Sequence, residues 1–288
     1  MFACTLFGID RQVYYRKIKR REARQSNASK IVAMVIEIRQ TMPRIGAKKL
    51  YFLLNNELKQ LKVGRDKFIS ILRANHLLIV PKRSYHITTN SHHRFRKHQN
   101  QILELEIKRP EQVWVSDITY IGKRENPCYL SLVTDAYSKK IMGFNVADNM
   151  NTESSLIALE NAIKLRKDKT LSLIHHSDRG VQYCANDYQK LLRKSVIKCS
   201  MTQNSDPYEN AVAERINGIL KQEFDIDKFN KDLPIMKLLV KDAIEIYNQK
   251  RPHYSNYMLT PNQMHQQNKI KMRTYKRKNT CQNDPASV

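Results

Sequence analysis

One nine-residue stretch, Val113-Trp114-Val115-Ser116-Asp117-Ile118-Thr119-Tyr120-Ile121, constrains this chain more than any other. Period-two alternation predicts a strand that sets Asp117 on the same face as Val113, Val115 and Ile121. A carboxylate on an apolar face is costly unless its surroundings use it. A second apolar run, Leu171-Ser172-Leu173-Ile174, leads into His175-His176-Ser177-Asp178-Arg179-Gly180, where Gly180 turns the chain at the strand's end. Open α/β sheets place their chemistry at such strand ends.

A third acid, Glu214, lies in Asn210-Ala211-Val212-Ala213-Glu214-Arg215-Ile216-Asn217-Gly218-Ile219-Leu220-Lys221. Val212, Ile216, Ile219 and Leu220 fall at helical spacing, and Glu214, about 200° from Val212 at roughly 100° per residue, leaves that stripe and faces a site. Asn210, Asn217 and Lys221 share its face. Two strand-end aspartates and one helix glutamate suit two divalent ions, which sit roughly 3.5 to 4 Å apart in phosphoryl transfer. All-oxygen ligands select magnesium, with manganese as the alternative.

Between Asp178 and Glu214 lie 35 residues, and Lys221 follows. With these spacings come four words in order: Trp114-Val115-Ser116-Asp117-Ile118-Thr119-Tyr120, His176-Ser177-Asp178-Arg179-Gly180-Val181-Gln182-Tyr183, Glu209-Asn210-Ala211-Val212-Ala213-Glu214-Arg215 and Tyr247-Asn248-Gln249-Lys250-Arg251-Pro252-His253. Together they resemble the D,D(35)E core of retroviral integrases and of insertion-sequence transposases of the OrfB type, encoded by the second of two overlapping frames. The resemblance spans residues 110 to 265. It implies a ribonuclease-H-like α/β fold with a mixed sheet, catalytic and metal-binding roles for Asp117, Asp178 and Glu214, and double-stranded DNA as substrate. Where many relatives carry glycine and aspartate, this chain has Ser205-Asp206-Pro207-Tyr208-Glu209. Glu209 is a rival acid, but it falls about 140° off the Glu214 face.

Charge separates the chain into regions. The formal net charge is +24, of which +17 lies in residues 1 to 100, +2 in 101 to 268 and +5 in 269 to 288. A nearly neutral core with basic flanks fits an enzyme joined to polyanion-binding arms. The five cysteines have no CxxC spacing, which points to reduced thiols. No apolar run reaches about 18 residues and no export signal opens the chain, so the expectation is a cytoplasmic, nucleoid-associated bacterial protein without a membrane partner.

Residues 1 to 27 read as a partial helix-turn-helix or basic arm, with Gly8 turning and Asp10 capping a basic helix from Arg11. In the resembled group this region is often fused to the product of an upstream overlapping frame, a candidate partner. Residues 28 to 80 carry three apolar helical stripes: Ile31, Met34, Val35 and Ile38; Ala47, Leu50, Tyr51 and Leu54; Phe68, Ile71 and Leu72. They read as a helix-turn-helix-like all-α domain with Lys48, Lys49, Arg65, Lys67 and Arg73 outside the stripes as DNA contacts. The Arg-Ile-Gly-Ala-Lys-Lys word at 44 to 49 departs from the group's usual Tyr-Gly-Tyr-Arg type.

Residues 81 to 109 form a basic linker with Lys82, Arg83, Arg94, Arg96 and Lys97. His86, His92, His93 and His98 come without a cysteine pair, which argues against zinc. Residues 110 to 225 are the catalytic domain: a three-strand meander, a helix on Leu156, Leu159 and Ile163, the Asp178 strand, a helix near 187 to 193, a strand near 196 to 200 and the Glu214 helix. His175 and His176 read as packed or solvated rather than catalytic. Lys221, two turns along the Glu214 face, is placed to grip a DNA phosphate. Residues 226 to 268 add a helical extension that packs on the core, and 269 to 288 a mobile basic tail.

The expected function is a transposase that binds the inverted ends of its element, cleaves a strand and joins the freed 3′-hydroxyl to target DNA, as a homo-oligomer on DNA. A nuclease on the same fold that cuts without joining, and a DNA-binding regulator with an idle core, are the alternatives.

Overall fold

The computed structural model of this chain describes residues 8, 10–80, 98–102, 105–122, 127–203, 210–229 and 232–272. The expectations for Lys82, Arg83, His86, His92, His93, Arg94, Arg96, Lys97 and Glu209, and for the tail beyond residue 272, lie outside the described residues.

Asp10 accepts from the backbone N–H groups of Gln12 and Val13 and so caps α1, Arg11–Thr41. This is one continuous helix of 31 residues, and it runs straight through the boundary drawn at residue 27. Its second half buries Ile31 and Val35, whereas most of the first half is exposed. Three short helices follow: α2 (Ala47–Leu53), α3 (Asn55–Gln60) and α4 (Arg65–Ala74). Leu50, Leu58, Phe68 and Leu72 close their core with at most 1 % exposure each.

A five-stranded sheet holds the second half: β1 (Val113–Ile121), β2 (Cys128–Asp135), β3 (Ile141–Ala147), β4 (Leu173–Ser177) and β5 (Ile197–Met201), in the order β3-β2-β1-β4-β5. β1, β2 and β3 form the expected antiparallel meander, while β4 joins β1 and β5 joins β4 in parallel. That mixed order, with the two parallel strands added after a helical crossover, is the mixed α/β sheet expected from the sequence. Residues 98–102 run on beside β5, with Met201 donating its N–H to Gln99 O and Gln101 N–H bonding Ser200 Oγ at 2.8 Å.

Helices cover both faces of the sheet. Crossover helix α5 (Thr152–Leu165), α6 (Val181–Cys184) and α7 (Asn186–Lys194) bury Trp114, Val133 and Leu173 on one side. Gly143 on β3 lets α5 approach closely, since a Cβ there would strike Ala158 O and stand 2.6 Å from Ala162 N. On the other side lie α8 (Ala211–Glu223) and α9 (Leu233–Gln249). Their Ile216, Leu220, Val240 and Tyr247 share one buried apolar cluster with Ile31, Leu50 and Phe68 of the N-terminal helices and Ile45 of the turn between α1 and α2. The helical module and the sheet domain therefore have a common core.

The Tyr247–His253 word does its work here. Tyr247 Oη donates to Lys139 O, Asn248 pairs both backbone groups of Ile141 at 3.0 Å, and Arg251 reaches Glu223. The Asn248 pair fastens the end of α9 to β3, an edge strand, Tyr247 to the turn before it and Arg251 to α8. Beyond α10 (Pro261–His265), the chain stays attached through residue 272: Tyr137 Oη donates to Ile270 O at 2.6 Å and Lys271 pairs with Glu106 at 2.9 Å. The segment expected to move freely from residue 269 is tied down at its start.

Candidate active site

β1 and β4 are parallel neighbours, with Ser116 opposite Ser177. One residue further on, Asp117 and Asp178 come side by side on the same face at the end of β4. Adjacent strands lie roughly 4.8 Å apart, so two like charges are forced into proximity. Asp178 is held by its own turn, accepting the Gly180 N–H at 3.0 Å, and a Cβ at Gly180 would crowd that carboxylate.

α8 lies along β1 and is stitched to it by three polar side chains. Asn210 Nδ2 donates to Ser116 O at 3.1 Å, Asn217 Nδ2 to Asp117 Oδ2 at 2.7 Å, and Lys221 Nζ to Thr119 Oγ1 at 3.2 Å. These are the three residues predicted to share the Glu214 face. That face is largely an interface with β1, and Glu214, in the first turn, stays exposed at its edge. Lys221 also sits 3.8 Å from the centre of the Tyr120 ring, a cation–π contact that holds the ammonium beside the strand.

Burial raises the Asp117 carboxyl first, the negative charge of Asp178 next and that of Glu214 further, to about 7 against the lowering effect of the Asn217 and Ile118 hydrogen bonds. Glu214 is itself raised by the burial it has. Asp117 thus feels the charge of both other acids. Among the described residues, no three His, Cys, Asp or Glu side chains are drawn together tightly enough to cage an ion.

Behind the carboxylates lies a support that sequence reasoning missed. His175 Nε2 is 2.7 Å from Ser116 Oγ and 2.9 Å from Tyr188 Oη, and burial pulls its pKa down to about 3. A neutral imidazole with both hydroxyls within hydrogen-bond reach of Nε2 links β4, β1 and α7 one residue before Asp117. The expectation that this histidine packs rather than reacts agrees with that environment.

The predicted DNA contacts divide. Lys48, Arg65, Lys67 and Arg73 are exposed. Lys49 is not available: its ammonium bonds both oxygens of Glu223, at 2.7 and 3.0 Å, in a half-buried site. The helical wheel placed it outside the apolar stripe, and the structure turns that side against the core.

Two family profiles described as Integrase core domain match residues 107–207 and 195–261. The chain is 31% identical over 258 residues to the insertion element IS600 uncharacterized 31 kDa protein of Shigella sonnei, covering 87% of this chain and 92% of that protein. It belongs to the integrase-core transposases of insertion sequences. As a member of that family it is a polynucleotidyl transferase of the DDE type. The transposase for IS629 of Shigella sonnei is 33% identical over 50% of this chain and 48% of its own length. Transposase InsF for IS3fB of Escherichia coli is 34% identical over 55% of each. The HTLV-2 integrase catalytic core domain in complex with magnesium aligns with 55% of this transposase and 97% of its own chain, at 21% identity and a TM-score of 0.44.

Proposed function

We propose that this transposase binds the inverted ends of its own element, hydrolyses a phosphodiester there to free a 3′-hydroxyl, and directs that hydroxyl at target DNA. Asp117, Asp178 and Glu214 are the catalytic carboxylates. The observation that carries this reading is Asp117 itself, a carboxyl in the middle of the sheet raised to about 7 by burial and by two further acids. Structural aspartates are paired with cations or donors that lower them; this one is held in a field that opposes its charge.

That field fits a divalent cation. The donors are carboxylate oxygens, which suit magnesium or manganese, and a pair of ions at Asp117, Asp178 and Glu214 would offset the repulsion between the acids. Bound ions of this kind activate the attacking oxygen and stabilise the leaving one. The side chains contribute the rest. Asn217 fixes one oxygen of Asp117, the Asp178 turn presents its carboxylate at the strand end, and α8 carries Glu214 over the same edge. Lys221, held by Thr119 and Tyr120, sets a positive charge where a DNA phosphate would pass. Lys48, Arg65, Lys67 and Arg73 give the N-terminal module an exposed basic surface for the duplex backbone, contacts that position rather than specify. Lys49 has no part in that surface.

Two DNA ends must meet for joining, so the working form is a homo-oligomer on DNA in the bacterial cytoplasm, near the nucleoid. The test is a magnesium-dependent cleavage and joining assay on labelled duplex bearing the element's terminal repeats, run with this chain and with a fusion to the upstream frame. Joined product that disappears in Glu214→Ala is the expected result. Cleavage without joining would make it a nuclease, and specific binding without cleavage by both forms would make it a regulator.

A further inference from the structure

Glu223 is the last residue of α8, the helix whose first turn carries Glu214. It gathers cations from both flanks of the chain. Lys49 of α2 bonds its two oxygens, and Arg251, beyond the end of α9, approaches with Nε at 2.9 Å from one oxygen and Nη2 at 2.8 Å from the other. Arg251 is 2 % exposed, so this two-pronged pair is the anchor and Lys49 is the second cation drawn to it. The pKa directions agree with that ranking: Glu223 is held down to about 2, chiefly by Arg251 against burial, while burial and the Arg251 charge bring Lys49 down to about 8.

The backbone is joined at the same point. Arg44 N–H donates to Glu223 O at 2.9 Å, so the N-terminal module supplies a partner for one of the last carbonyls of α8. Ile45, Leu50 and Leu54 of the module continue the contact in one apolar cluster with Ile216, Leu220 and Phe224. A helix of this length is a rod of about 20 Å, and what holds one end sets the other.

We propose that Glu223 is a positioning residue: by binding Lys49 and Arg251 together it locks the N-terminal DNA-binding module to the far end of the Glu214 helix, so that docking of the module determines where Glu214 stands. The module and the catalytic edge then meet DNA as one body. This rests on the reading of Glu214 given above. Without Lys49 the module loses its described ion pair to Glu223 and keeps the Arg44 N–H bond to Glu223 O and the 3.9 Å Arg44–Asp225 pair, while Arg251 keeps the carboxylate satisfied, so the coupling is weakened without stranding a buried charge.

The experiment compares Lys49→Met, which keeps the apolar stem, with Lys49→Arg, which keeps the charge, in the full chain. Hydrogen exchange is read at the amides of residues 211–217, and strand cleavage on labelled terminal-repeat duplex. In Lys49→Met, exchange in that first stretch of α8 rises about tenfold, and cleavage turnover falls by about the same factor while the half-saturating DNA concentration holds. Lys49→Arg restores both. Unchanged exchange at 211–217 in Lys49→Met, or equal damage from both variants, overturns the proposal. If Lys49→Met does not fold, Ile45→Ala, which thins the apolar seam and leaves the ions in place, must speed the same amides; protection there at the parent level overturns it equally. A parent protein without cleavage activity counts against the transposase reading, and the exchange comparison still decides the coupling.

Discussion

Replacing Asp117 with asparagine should make the metal-free protein more stable and leave it inactive. The carboxyl rises from 3.8 to about 7 in the folded chain, because burial and then Asp178 disfavour its charge. A raised folded pKa costs stability above the unfolded value: the penalty opens as pH climbs past about 4 and levels off above about 7. Three units at 1.36 kcal/mol each set a ceiling of about 4 kcal/mol, and the residual solvent exposure of Asp117 brings the expected gain to about 2 kcal/mol. For a domain of this size that is a rise in melting temperature of about 5 °C. The amide fits the site. Ile118 N–H can still bond the retained oxygen, and Asn217 Oδ1, which has no hydrogen-bond partner, can turn to accept from the new NH2 group. Thermal melts of Asp117→Asn and the parent from pH 4 to 8, with and without millimolar magnesium, read the effect. The gap should widen from pH 4 to 7, and magnesium should raise the melting temperature of the parent alone. A variant less stable than its parent at pH 8, or a gap that ignores pH, would refute the reasoning.

Three further outcomes follow from the packing. Gly143→Ala presses a methyl group on the α5 backbone at Ala158 and Ala162, which cannot step aside like a side chain, and should destabilise by about 3 kcal/mol in urea titrations. Asn248→Ala strips partners from the N–H and C=O of Ile141 and should cost about 2 kcal/mol in the same titrations, with faster exchange along β3. Glu223→Gln should remove acid sensitivity: the carboxyl, lowered from 4.5 to about 2, stabilises the fold above pH 4.5 and loses that contribution as pH falls towards 2. The parent's melting temperature should therefore drop more steeply than the variant's below pH 4.5.

What sequence alone could reveal followed the range of the interactions. β1 was legible from end to end because its alternation is local, and Asp178 because a glycine turn closes its strand. The helix bearing Glu214 could be drawn with its faces, since Val212, Ile216 and Leu220 mark the buried stripe within one segment. α1 was divided at residue 27 because Gln25-Ser26-Asn27-Ala28-Ser29 lacks an apolar stripe, yet nothing in that run breaks a helix. α3 was missed because it adds no apolar stripe of its own: Leu58 is its one buried residue. Lys49 was misplaced for a different reason. Its partner is 174 residues away, and no periodicity reports a pairing across that distance. Glu223 and the Ser116–His175–Tyr188 contact were invisible for the same cause.

The four sequence words divide by physical role as a result. Three of them carry the carboxylates Asp117, Asp178 and Glu214 on β1, at the end of β4 and on α8, where Asp117 feels the charge of the other two. The fourth, from Tyr247 to His253, carries no acid and touches none of the three. It closes the edge of the sheet through Asn248, reaches the β2–β3 turn through Tyr247, and sends Arg251 under the end of α8. That placement has a mechanical consequence. The carboxylates repel, and each sits on an element that could relax away from the others; β1 and β4 are fixed by their ladder, so α8 is the one that needs holding. Asn210, Asn217 and Lys221 hold it to β1 along one side, and Arg251 with Lys49 holds its far end. Under the proposed metal chemistry, a helix held at both places leaves only the short reach of the Glu214 side chain to be ordered when an ion and a phosphate bind.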